Sequence, residues 1–243
     1  MNGPDVTPGT FALIAMAAAL LLAAPAPSHA ETRFGIAGFA GYNSHSMEDA
    51  NELIDEVNDG LAGTGFSMDE ITSSWGFGGG LRIRPSGDKL MIALDYEKLN
   101  AGSELEVFGG SFEIETPADA FTGTLLYLFP SSSRARIGVG AGVGYYSGDG
   151  EIGADSAGVG FEIDVEGSGF GFHGLAALDY GISPVVHLEG SAGYRFAETS
   201  DLEVGGQTAY NLQGEEATLD WSGFMSRVGL AFYFGAGAPS TSP

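Results

Sequence analysis

His187, Glu189 and Ser191 stand two residues apart on one face of what reads as a strand, and they are formally a base, an acid and a nucleophile. Residues two apart on a strand are separated by roughly 6.6 Å, so long side chains would have to close the gap. A larger set of ionisable residues falls on the same kind of face: Arg82, Arg84, Arg136, Arg195 and Arg227, with Asp95, Glu97, Asp179 and Glu189, and with His173 and His187. Arginines and carboxylates placed among apolar strands either pair with one another or stand in water, because an unpaired buried charge costs several kcal/mol. Two chemistries are open to them: a salt-bridged plug that fills an interior, or the lining of a conducting lumen. The glycines that share this face would leave room around the arginines and keep the second reading open.

Eight segments must position these residues, each with two-residue periodicity over about ten residues, the mark of a strand with two unlike faces. They are 33–42, 74–85, 90–99, 120–129, 136–146, 170–181, 185–196 and 222–234. In the clearest, Ile137, Val139, Ala141, Val143 and Tyr145 alternate with Gly138, Gly140, Gly142 and Gly144. In the last, Phe224, Val228, Leu230, Phe232 and Phe234 oppose Met225, Arg227, Gly229 and Tyr233. This length suits a membrane-spanning strand. Backbone groups in lipid have no water partners, so such a sheet must close on itself, and an even count of eight allows it. Aromatics such as Phe34, Tyr42, Trp75, Phe121, Phe129, Tyr145 and Phe170 sit near the ends of the apolar faces, as interfacial girdles do. The expected fold is therefore all-β: an eight-stranded antiparallel up-and-down transmembrane β-barrel with the ionisable residues inside.

The connections alternate between short turns (85–89, 130–133 and Ser183-Pro184) and long stretches (43–73, 100–119, 147–169 and 197–221). In outer-membrane barrels the short ones are periplasmic and the long ones extracellular. If so, Arg82, Arg84, Arg136, Arg227, Asp179, His187 and Glu189 lie in the periplasmic half, and Asp95, Glu97, His173 and Arg195 lie higher. Leu53, Ile54, Val57 and Leu61 have helical spacing and predict a short amphipathic helix within 47–61. The alternating pieces 105–107, 112–114 and 161–165 predict strand extensions. Within the long connections, residues 44–73, 100–118, 147–168 and 197–220 hold 24 of the 32 acidic residues and no Lys or Arg. That charge keeps a surface hydrated. It also suits divalent cations that bridge to lipopolysaccharide, although Asp149, Glu151 and Asp155 lack EF-hand spacing and no metal site is assigned.

A net charge of −23 argues against a nucleic-acid partner. The absence of cysteine removes disulfides and thiolate chemistry. Phe11 to Ala24 is an apolar run that ends in Pro25-Ala26-Pro27 and Ser28-His29-Ala30, which reads as a signal peptide cut between Ala30 and Glu31. Met1 to Thr10, with no Lys or Arg, departs from the usual charged start. The expected division is a signal peptide at 1–30, a barrel at 31–234 and a short disordered tail at 235–243.

With these segments, turns and leader, the chain resembles the OmpA/OmpX/OmpW-type small outer-membrane β-barrel superfamily across nearly its whole length. The sharpest local match is Arg227-Val228-Gly229-Leu230-Ala231-Phe232-Tyr233-Phe234, which is similar to the β-signal read by the barrel-insertion machinery, with Arg227, Gly229, Phe232 and Phe234 at its marked positions. Such a signal usually ends the chain, whereas 235–243 follow here, a tail too short for a peptidoglycan-binding domain. The resemblance implies the bacterial outer membrane, with membrane lipid and lipopolysaccharide as surroundings and no cofactor. The expected role is structural or surface interaction with a largely plugged interior. The alternative is a small ion or solute channel. A lipid A-modifying enzyme, also found among such barrels, would need His187, Glu189 and Ser191 to face lipid, and the alternation turns them inward.

Overall fold

The computed structural model describes residues 32–85, 89–107, 110–130, 134–156 and 159–234. Strand β1 (Arg33–Ser44) leads to helix α1 (Glu48–Gly60), then β2 (Ser73–Arg84), β3 (Leu90–Val107), β4 (Gly110–Pro130), β5 (Ala135–Ser156), β6 (Val159–Gly181) and β7 (Val186–Val204). The short β8 (Gln207–Thr208) and β9 (Leu219–Asp220) precede β10 (Gly223–Phe234). From β1 to β7 each strand pairs antiparallel with the next. β10 pairs with β7 from Phe232↔Val186 to Gly223↔Arg195, and with β1 from Phe34↔Phe234 to Asn43↔Met225, so the path returns to its start. The described chain is thus all-β apart from α1, an antiparallel ladder bonded in a ring. The expected signal segment 1–30, the Ala30–Glu31 cleavage point and the tail 235–243 lie outside the described residues.

Closure gives every strand an inside and an outside. Phe34, Ile36, Trp75, Phe77, Leu125, Val143, Phe172, Val228 and Phe232 are exposed on the outer face, while Met91, Ala93, Leu128, Met225 and Tyr233 are buried within. Tyr96, Phe121, Tyr145 and Phe170 lie in register across β3 to β6 and form one continuous outer row. Within it Tyr96 and Phe121 pack at 5.1 Å and Tyr145 and Phe170 at 5.4 Å. The stretches 100–119 and 147–169, expected largely as loops, are strand nearly throughout: β3 and β4 stay paired to Val107↔Gly110, and β5 and β6 to Ser156↔Val159. Their outer face turns acidic beyond the aromatic row, so an apolar count loses them while the two-residue alternation continues.

The tall end is closed by a hydrophobic core. Met47, Ile54, Ile71, Leu99, Tyr146, Leu219 and Trp221 are buried in one cluster inside the ring. Helix α1 enters this core on Ala50 and Ile54, and Leu53 packs beside them. Its acidic first turn, Glu48 and Asp49, complements the helix dipole. Two asparagines of α1 act as backbone substitutes. Asn51 donates to the Ile71 carbonyl at 3.2 Å and accepts from its N–H at 2.7 Å, and Asn58 does the same for Met68 at 3.0 and 2.7 Å. Asp49 accepts from the N–H and hydroxyl of Thr218, which ties the first long connection to the last.

His45, at the lower edge of this core, contacts the Ser74 hydroxyl at 2.7 Å and meets the Trp221 ring edge-on at 5.1 Å. Burial, helped by the charge of Arg195, lowers its pKa from 6.5 to about 4. The unfolded chain therefore binds the extra proton first. Stability from neutral His45 is complete above pH 6.5 and is lost as pH falls toward 4, a loss of roughly 3 kcal/mol at most. His45→Phe is expected to flatten that part of the pH–stability profile; an unchanged slope would remove His45 as its source. Ile54→Ala is expected to cost about 2–4 kcal/mol and to expose 47–61 to protease. Unchanged protection would mean that the cap does not depend on this side chain.

Candidate functional site

Inward side chains from six strands meet in one continuous chain of ion pairs. At the end with the short turns, Arg136 lies 3.3 Å from Asp179. Asp179 also receives Arg84 at 2.7 Å and the His187 Nδ1 at 2.7 Å. Glu189 stands 3.9 Å from Arg84 and accepts from the Arg82 Nε at 2.8 Å. Arg82 reaches Asp95 at 2.5 Å, and Asp95 lies 3.8 Å from Arg227. Arg227 meets Glu97 at 2.5 Å, and Glu97 accepts from Arg195 at 3.0 Å. The sequence-expected inner residues Arg82, Arg84, Asp95, Glu97, Arg136, Asp179, His187, Glu189, Arg195 and Arg227 are all joined in this chain. His173 stands apart, buried, with its Nε2 2.8 Å from the Thr124 hydroxyl.

One height was misjudged. Arg227, expected in the half nearer the short turns, pairs instead with Glu97 beside Arg195. The register carries it there: Arg227 sits opposite Gly41, Gly41 opposite Gly76, and a Cβ on Gly76 would come 2.7 Å from the Glu97 carboxylate. Strand tilt, which a single strand does not reveal, decides which inner residues share a level.

Several partners escaped the sequence reading. The Tyr233 hydroxyl donates to Glu189 at 2.9 Å, and its ring lies 4.2 Å from the Arg84 guanidinium. Phe39 supports Arg227 at 4.9 Å, and Tyr146 lies 5.5 Å from Arg195. Such cation–π contacts satisfy arginine faces that carboxylates do not reach. Asn43 donates to Glu97 at 3.2 Å and accepts from Arg195 at 3.3 Å. Position parity marks all four as inward, and the alternation of 222–234 already places Tyr233 there, but neither an aromatic ring nor a lone asparagine signals in sequence that it joins an ionic chain.

The inner glycines do not leave the arginines in open space, as their number suggested. A Cβ on Gly142 would stand 2.5 Å from the His173 ring, and one on Gly78 2.6 Å from Phe39. Each glycine is the floor across which a neighbour's long side chain lies. Opposite the ionic half, Met91, Ala93, Leu126 and Leu128 form an apolar cluster with Leu175 and Ala177. Between the halves lies a cavity of about 60 Å³, bordered by Met91, Thr124, Arg82 and Asp95. That is room for a few waters.

His187, Glu189 and Ser191 are not assembled as a catalytic set. The contacts of His187 go to Asp179, and those of Glu189 to Arg82 and Tyr233. Of the β-signal residues, Arg227 and Gly229 face inward, while Phe232 and Phe234 are exposed on the outer face of β10, the strand that closes the ring.

Residues 14–232 match the family described as outer membrane protein beta-barrel domain, and the chain belongs to that family. Membership implies the bacterial outer membrane. Among solved structures the chain is similar to the outer membrane protein OprG from Pseudomonas aeruginosa, with 14% identity over 86% of this chain and 99% of that one and a TM-score of 0.51. It also aligns with a major outer membrane protein from Thermus thermophilus (11% identity, 84% of this chain, 99% of that one, TM-score 0.48). A third alignment is with Ail, the attachment invasion locus protein of Yersinia pestis (14%, 85%, 100%, TM-score 0.40). Identity this low speaks for the fold alone, and of these three only OprG is near enough in shape to carry that. No curated protein sequence matches the chain.

Glu97→Ala would leave Arg195 and Arg227 buried together without their shared counter-charge and is expected to cost about 3–5 kcal/mol. Arg136→Ala removes a partly exposed arginine at the end of the chain and should cost clearly less. Denaturant midpoints of the refolded protein would rank the two; equal losses would contradict a chain anchored at Glu97.

Proposed function

We propose that the chain is exported on a signal peptide of residues 1–30, cut between Ala30 and Glu31, and that the mature protein is an eight-stranded transmembrane β-barrel with a structural or surface-interaction role and a sealed interior. It acts as a scaffold rather than as an enzyme or a channel. The short turns face the periplasm, and the tall end with its acidic connections faces outward. The ring formed by β1 to β7 and β10 is even-numbered, as closure in the bacterial outer membrane favours. From Phe121 to Phe129 along β4 is roughly 26 Å, or about 20 Å once tilted, comparable to the height of a lipid-facing band.

The observation that carries this reading is the double closure of the lumen. The ion-pair chain from Arg136 to Arg195 crosses the interior, and the core around Ile54 and Trp221 covers it. Between the ionic and apolar halves, the described residues border a cavity of about 60 Å³, small beside the continuous aqueous path that a channel needs. On this reading the surroundings are outer-membrane lipid and lipopolysaccharide, divalent cations bridge the acidic surface to the latter, and the insertion machinery reads Arg227, Gly229, Phe232 and Phe234 during assembly.

Residues 31–243, refolded and incorporated into a planar lipid bilayer, are expected to stay electrically silent, and Arg82→Ala together with Arg227→Ala should raise conductance or lower stability. Stable, discrete current steps from the unaltered protein would overturn the sealed-lumen reading in favour of a small ion or solute channel.

A further inference from the structure

Beyond Asn100 on β3 and Val165 on β6, where pairing with β2 and β7 ends, strands β3 to β6 continue as a panel paired only among themselves. Ile114 lies seven residues past Phe121 on β4, roughly 23 Å along the strand, so the panel stands clear of the lipid in the orientation proposed above. Its two faces are unlike. Toward the barrel axis, the register sets Leu105, Phe112, Ala154 and Phe161 in one row and Ile114, Ile152 and Ile163 in the next. The hydrophobic cap buries Leu105 and Ile114. The far edge is left uncovered: Phe161 is 55% exposed and Ile163 36%, with Phe112, Ile152 and Ala154 only partly buried.

The opposite face carries carboxylates and no basic side chain. Glu104, Glu113, Glu115, Glu151, Asp155 and Asp164 lie on the outer side of the panel, and 101–117 and 147–168 contain no Lys or Arg. A hydrogen bond that the protonated Glu113 carboxyl donates to Glu115, in a setting crowded by Glu104 and Glu151, raises the pKa of Glu113. Across the mouth, α1 packs into the same hydrophobic cluster and adds the exposed Asp55, Glu56 and Asp59. An apolar strip facing water is unfavourable in proportion to its area. Its rim decides what can cover it. A second copy brings the same net charge of −23 and is repelled. Apolar side chains flanked by Lys or Arg match both the strip and its rim.

We propose that the inner edge of this panel docks a cationic amphipathic peptide segment of another molecule, with its apolar side chains on Phe161, Ile163 and Phe112 and its basic side chains reaching the surrounding carboxylates. This rests on the reading of the barrel as an outward-facing surface protein and names the chemistry of its partner.

The test uses the full mature chain in nanodiscs of zwitterionic lipid, with empty nanodiscs as the blank. The probes are a fluorescent amphipathic Leu/Lys peptide, its Leu/Glu counterpart and a scrambled Leu/Lys peptide. The Leu/Lys peptide is expected to bind in a salt-sensitive way, and the other two far more weakly. Phe161→Thr with Ile163→Thr, which keeps strand propensity at exposed positions, should weaken binding at least about tenfold. Glu113→Gln with Glu115→Gln and Glu151→Gln should flatten the salt dependence while heat-modifiable mobility stays unchanged. Unaltered binding by the threonine variant, equal binding of the Leu/Glu peptide, no binding at all, or a wild-type dimer that the threonine variant dissolves would each overturn the proposal. A barrel that conducts yet binds the Leu/Lys peptide through Phe161 would break the sealed-lumen reading and support this one; a silent barrel that ignores the peptide would do the reverse.

Discussion

The register between β1 and β10, unbroken from Phe34↔Phe234 to Asn43↔Met225, turns an open sheet into a ring, and most other features depend on that closure. An open sheet would leave two edges of unpaired N–H and C=O groups, which are costly away from water. Once closed, each residue's parity assigns it to one of two environments. The outer face can then be largely apolar from the short turns up to the aromatic row, and the inner face must solve the problem of a narrow, mixed interior by itself.

It solves that problem in two ways at two heights. Near the short turns, half the interior is ionic and half is apolar, and the boundary between them is the small cavity beside Arg82 and Asp95. Charges survive burial there because each is shared: Asp179 serves Arg84, Arg136 and His187, and Glu97 serves Arg195 and Arg227. Aromatic rings on Tyr233, Phe39 and Tyr146 take up guanidinium faces that carboxylates leave. Further up, the ring is filled by a core of ordinary protein character, for which α1 and the 219–221 segment supply side chains that the walls cannot.

The strand faces were legible from sequence because period-two alternation survives any tertiary detail. Ile137 to Tyr145 against Gly138 to Gly144 could be assigned with no knowledge of neighbours, and α1 announced itself through Leu53, Ile54, Val57 and Leu61. The tall parts of β3 to β6 were legible only in fragments, since alternation between acids and scattered aliphatics such as Phe112 and Ile152 is weak wherever the outer face meets water instead of lipid. Inner glycines were misread for a related reason. A glycine shows that no side chain starts there, and it cannot show that Glu97 or His173 comes across from the next strand to lie on it.

The sequence by itself determined which residues of the eight alternating segments face inward and which outward, and how the acidic residues are spaced along the chain, because each of these is set by local spacing and composition. Tertiary structure decided who meets whom. Arg227 pairs with Glu97, α1 packs into the upper core, and Asn43 and Tyr233 join the ionic chain because the stagger of neighbouring strands and the closure of the ring set levels inside the barrel. Those quantities belong to the ring as a whole, and no single strand carries them.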